Sequence, residues 1–175
     1  MESGSSKDRK LHDIKIEAEK LGAGMCKALP GFHAFTGCDT TSAFSFKGKI
    51  KPYKILLKDK SALEACAELG TNEVATAVLV QKLENFACRI YGDKGKGDRS
   101  INHLRCCQFQ SRSKTYASRT QKQTPTQHRS KDNVLDEQNQ IDISSLPPVK
   151  ESLILHINRA NFQTRIWRKA DQAGN

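Results

Sequence analysis

The chain has 175 residues and carries 29 Lys and Arg against 19 Asp and Glu, a net charge of +10. Hydrophobic residues make up 37% and the mean hydropathy is −0.63, both low for a packed domain of this length. No apolar run approaches the roughly 20 residues that a membrane helix needs, and Met1 to Asp8 lack the apolar core of a secretory signal. The expected setting is therefore intracellular, nuclear or cytoplasmic, with no membrane partner. The six cysteines are expected as free thiols and not as a disulfide framework.

Residues 1–10 read as a disordered tail. Leu11 to Ile16 alternates apolar and polar in part, which predicts a short strand. A helical spacing starts at Ile16, Ala18, Leu21 and Met25, broken by Gly22 and Gly24. Leu29, Phe32, His33 and Phe35 continue it to Gly37, and His33 reads there as a packed histidine. Pro52 to Lys58 predicts another helix. Ser61 with Glu64 three residues on makes a capping box for a helix over Ala62 to Leu69, which stops at Gly70. Thr71 or Asn72 is the expected cap of a longer helix, Glu73 to Tyr91, with Val74, Val78, Leu79, Leu83, Phe86 and Ile90 in its apolar stripe.

From Asp93 to Asn133 there are ten Lys/Arg and three Asp/Glu, a net +7 of the whole chain's +10. Its few large apolar residues, Ile101, Leu104, Phe109 and Tyr116, bury too little to offset the entropy of ordering. Residues 93–145 therefore read as a disordered basic and polar linker, with a short helix around Ile101 to Phe109. Pro147-Pro148 then opens an amphipathic helix over 146–168, with Leu153, Ile157, Ala160, Phe162, Ile166 and Trp167 recurring at helical spacing. Residues 169–175 read as a tail. A lone amphipathic helix needs a partner surface, here expected to be the apolar face of Glu73 to Tyr91. The fold class is thus mainly α: a small helical domain over 11–92, a long disordered basic linker and a C-terminal helix packing back.

The stretch Leu29 to Leu57 carries most information. An apolar helix runs into Thr36-Gly37-Cys38-Asp39, then a polar turn, then Lys47-Gly48-Lys49-Ile50-Lys51 and a second apolar helix. This resembles the flap-endonuclease-like nucleases of the PIN-like superfamily. There a helix ends in Gly-Cys-Asp or Gly-Ser-Asp, and a Gly-x-Gly-x-Lys hairpin, helix–hairpin–helix-like over 36–57 here, opens the next. Leu11 to Gly22 upstream, similar to that family's strand and following helix, and Lys58 to Glu64 downstream extend the likeness. The stretch from Ala28 to Thr40, together with Leu146-Pro147-Pro148, His156, Arg159 to Gln163 and Trp167, also resembles a set of uncharacterised, transposon-associated animal proteins.

The resemblance implies roles. Asp39 matches a carboxylate that helps hold a divalent metal pair, a task needing several convergent acids. The family's other acids follow an upstream apolar strand, and Asp8 and Asp13 follow none. Asp39 is therefore expected as a vestigial metal ligand or a plain turn residue. No catalytic residue is assigned, and Mg²⁺ is expected only with an upstream catalytic half. The hairpin implies phosphate contacts by Lys47, Gly48, Lys49, Lys51 and Lys54. Phe46, which is disfavoured at positive φ, stands where the family has its first glycine. A Lys-rich turn can equally be only a solvated surface. His103, Cys106 and Cys107 make up one side of a tetrahedral metal site at most. Cys26, Cys66 and Cys88 read as small buried apolar residues. Two functions follow from different classes. One is a partial, non-catalytic nuclease-related chain that contacts DNA or RNA without sequence preference. The alternative is a non-catalytic helical protein-interaction module with an unknown partner.

Overall fold

The computed structural model describes residues 2–3, 10–11, 13–95, 100–120 and 142–172. The fold is mainly helical. Seven α-helices run through the described residues: α1 Ile14–Leu21, α2 Ala23–Thr36, α3 Ile50–Leu56, α4 Lys60–Glu68, α5 Ala77–Ile90, α6 Ile101–Thr120 and α7 Lys150–Gln172. Glu2–Ser3 pairs antiparallel with Lys10–Leu11, while the rest of the expected 1–10 tail lies outside the described residues. The expected strand over Leu11 to Ile16 is replaced from Ile14 by α1. Asp13 is the reason: its carboxylate accepts from the amides of Lys15 at 2.9 Å and Ile16 at 3.4 Å, which starts a helix.

Helix α2 sits at the centre, with Ala28, Phe32, Ala34 and Phe35 in the core. It continues through Gly24, where a turn was expected, and through Pro30. Gly31 explains how closely α4 can approach. A Cβ at Gly31 would lie 2.1 Å from the Cys66 carbonyl oxygen, so only glycine lets these two backbones meet. Phe35 is fully buried and stacks on Phe86 of α5 at 5.7 Å between centroids.

Two helix starts differ from the sequence expectation. Asp59, not Ser61, caps α4, because its carboxylate accepts from the amides of Ser61 and Ala62 and also pairs with Arg89. Helix α5 begins at Ala77 under a Thr76 cap, later than Glu73. The intervening backbone is held elsewhere by Asn161, which accepts from Gly70 N at 2.8 Å and donates to the carbonyls of Asn72 at 3.1 Å and Glu73 at 3.3 Å. Val74 and Val78 consequently face solvent.

The expected linker over 93–145 contains a longer helix than the short one foreseen. Helix α6 covers Ile101–Thr120 and places Ile101 and Leu104 in the core. Two apolar residues one turn apart suffice because α5 supplies a preformed surface, and Gln108 Nε2 donates to the Tyr91 carbonyl at 2.9 Å. Residues 96–99 and 121–141 of the expected linker lie outside the described residues. Helix α7 packs back, as expected, burying Leu153, Ile157 and Ala160. It rests chiefly on α2 and only secondarily on α5, since the α5 stripe is already shared with α3, α4 and α6. It also extends to Gln172, into the expected tail.

Candidate nucleic-acid interface

The segment between α2 and α3 is built from the end of α2 outward. Gly37 takes φ +107°, and a Cβ there would meet Ala43 Cα at 2.6 Å, so the chain folds directly back over it. Cys38 and Thr41 then pair as a tight bridge, N to O at 3.0 and 3.3 Å. Thr41 Oγ1 donates to Ala34 O at 2.7 Å, which locks the turn to the helix end. Asp39 and Thr40 occupy the exposed tip. Thr40 Oγ1 donates to Gln163 Oε1 of α7 at 2.7 Å.

The two sequence motifs therefore meet in space. His156 Nε2 lies 2.7 Å from Phe35 O, and the His33 ring stacks on Trp167 at 5.7 Å. Arg168 donates to the carbonyls of Leu69, Ala67 and Lys27. Most of these motif residues hold α7 onto α2 and the turn after α4. His33 is packed against an aromatic ring, as expected, although it remains exposed. Burial and the Lys49 charge hold its imidazole below the ordinary range, against a smaller opposite pull from Asp39.

The four hairpin lysines divide into two kinds. Lys49 Nζ donates to Gly37 O at 2.5 Å, Thr36 Oγ1 at 3.0 Å and His33 O at 3.2 Å. It caps the negative end of α2, where a cation is stabilised by the helix dipole. Lys47 Nζ lies 5.0 Å from the Tyr91 ring centroid, a cation–π contact. Burial pushes its ammonium pKa down, with Lys51 and Arg112 adding repulsion. Lys51 and Lys54 are exposed. Together with Gly48, Lys49 and Ile50 they line one shallow depression, and the space beside the Gly48 Cα is open. Phe46 takes φ +57° and is 77% exposed, so the hairpin keeps a left-handed residue without a glycine.

Among the described residues, no group of three or more His, Cys, Asp or Glu could hold a metal ion. Asp39 thus lies in no cluster that fits a Mg²⁺ pair, which needs several convergent oxygen ligands. On α6 the His103 ring lies 3.4 Å from Cys107 Sγ, an exposed contact. Cys66 and Cys88 are buried; desolvation pushes the Cys88 thiol up to about 11, and the Cys66 thiol higher still. Burial would also raise Cys38, but hydrogen bonds from Thr40 and Thr41 outweigh it and leave that thiol below the usual value.

Comparison with known protein families, with curated proteins and with solved structures found no match to this chain. The site is read from its own chemistry.

The same geometry sets the expected response to substitution and to pH. Lys49→Met should cost about 1–2 kcal/mol of stability in urea unfolding, because it strips a charged cap from α2. Lys51→Gln and Lys54→Gln should each stay within about 0.5 kcal/mol, as exposed residues do. The pH response centres on His156. Burial holds its imidazole below the ordinary 6.5 and Arg159 adds to this, while the bond to Phe35 O pulls the other way. The unfolded chain then binds the proton more readily than the fold. The contribution of His156 to stability is full above about 6.5 and declines as pH falls from there toward the folded-state value. The urea midpoint should drop over that window, and His156→Gln should flatten the drop, leaving the smaller share of His33.

Proposed function

We propose that this chain is a non-catalytic, PIN-like nuclease-related module that contacts the phosphate backbone of DNA or RNA without sequence preference. The observation that carries the reading is the charge state of the hairpin. Among the described residues, Lys20, Lys60, Lys82 and Lys150 each pair with a glutamate, whereas none of Lys47, Lys49, Lys51 and Lys54 has an acidic partner. Lys49 and Lys47 shape and anchor the loop, and Lys51 and Lys54 beside the open Gly48 backbone remain to meet phosphates. Their number suits weak, non-specific attraction by a chain of net charge +10. Asp39 serves as a turn residue whose neighbour Thr40 ties the hairpin to α7. The motif resemblance and the basic loop support the nuclease-related origin.

The test is equilibrium binding of unrelated duplex and single-stranded oligonucleotides to the full chain, with and without Mg²⁺ or Mn²⁺. Comparable affinities for unrelated sequences, weakened by the Lys51→Gln/Lys54→Gln pair, support the reading. Metal-dependent cleavage abolished by Asp39→Ala would refute the non-catalytic half of it. A second reading, a protein-interaction module, is favoured by the outer face of α7, where Leu155, Phe162 and Ile166 are exposed.

A further inference from the structure

A cleft of about 360 Å³ opens between the loop after the Cys38–Thr41 turn, the end of α5, α6, the segment 143–148 and the start of α7. That volume lies within the range of small-molecule pockets. Arg105 and Arg159 line it together with Ser42, Ser45 and Ser152, and among the described residues no acidic one does. Arg105 is fixed by donating to Pro147 O. Arg159 forms no hydrogen bond or ion pair among the described residues, although it lies one turn from the buried His156. Asp142, next to this wall, is engaged by the amide and hydroxyl of Ser144. Further positive charge collects nearby, since Lys47 sits over the ring of Tyr91, itself a lining residue. The remaining surface is apolar, with Leu146, Leu153 and Pro148.

Cations crowded on a cleft without a counter-charge are stabilised by an anion. Guanidinium groups match phosphate oxygens in geometry and charge, and serine hydroxyls add donors. The apolar lining suits a carbon body carried by that anion. We propose that this cleft binds an organic phosphate monoester, with its phosphoryl group on Arg105 and Arg159 and its body against Leu146, Leu153 and Pro148. The site is separate from Lys51 and Lys54, which line the other depression, and does not rest on the nucleic-acid reading.

Calorimetric titration of the full chain with adenosine 5′-monophosphate, adenosine, and inorganic phosphate tests it. The expected result is saturable binding of the monophosphate, weaker binding of inorganic phosphate and none of adenosine. Arg159→Gln should weaken the monophosphate about tenfold or more, the size of one charge-assisted hydrogen bond, with unchanged thermal stability. Lys51→Gln/Lys54→Gln should leave it unchanged. No saturation by the monophosphate, equal binding of adenosine, or an undiminished affinity in Arg159→Gln would overturn the proposal. Equal affinity for inorganic phosphate would overturn the apolar half of it, and a loss in the lysine pair would move the phosphate to the hairpin.

Discussion

Glu84→Ala should cost about 1–3 kcal/mol of unfolding free energy, the range for leaving a buried hydrogen-bond partner unsatisfied. Glu84 is 1% exposed on α5. Its Oε1 accepts from Ile101 N at 2.9 Å, the first amide of α6, and its Oε2 lies 3.0 Å from Lys150 Nζ at the start of α7. One carboxylate thus joins the two helices that follow the 11–92 segment to its core. Removing it leaves the Ile101 amide without its acceptor, while the Lys150 side chain, 38% exposed, can turn to solvent. A double-mutant cycle with Lys150→Met in urea should read a coupling smaller than that loss, since the ammonium can be solvated.

Gly31→Ala should lower stability by about 1–3 kcal/mol or more, as overpacking does. The sign is the diagnostic part. In an ordinary helix interior the same change stabilises by about 0.5–1 kcal/mol. Here the new Cβ would sit 2.1 Å from a backbone oxygen of α4, which cannot swing aside as a side-chain end could. A melting temperature that rises in Gly31→Ala would mean that α2 and α4 lie further apart than described.

Much of the fold was legible because it rests on periodicity. Leu79, Leu83, Phe86 and Ile90, or Leu153, Ile157 and Ala160, announce a buried face by spacing alone, and each is buried. What was not legible rests on single polar residues acting at a distance. Asn161 lies 91 positions from Gly70 in sequence, so nothing local to Thr71 or Asn72 reveals that the backbone there is already claimed. Glu84 reads as one more charge on an amphipathic helix, and only the tertiary neighbours turn it into the anchor of α6 and α7. Composition misled over Ile101–Thr120 for the same reason: a polar, basic stretch folds when α5 supplies the apolar surface it lacks.

The candidate site divides similarly. The Lys and Gly positions of the hairpin were visible as a pattern, and Gly48, Lys49, Lys51 and Lys54 share one depression, while Lys47 lies over the Tyr91 ring. The pattern could not separate a lysine that caps a helix from one that faces solvent. Lys49 acquires its role from the carbonyls of His33 and Gly37, which come within its reach only once Gly37 turns the chain back. His33, Thr40, His156, Gln163 and Trp167 formed motifs whose shared purpose, fastening α7 to α2, emerges only when both ends are in view.

The salt dependence of nucleic-acid binding tests the central claim most directly. Binding of the full chain to a short duplex, measured by fluorescence anisotropy across a range of salt, should give a straight fall of log affinity with log salt. Lys51→Gln/Lys54→Gln should make that slope shallower by about 1 for each phosphate that is no longer neutralised, so by roughly 2 for the pair, with the fold intact. A slope unchanged by the double substitution, or an affinity insensitive to salt, would contradict phosphate contact by the hairpin and favour the apolar face of α7 as the working surface.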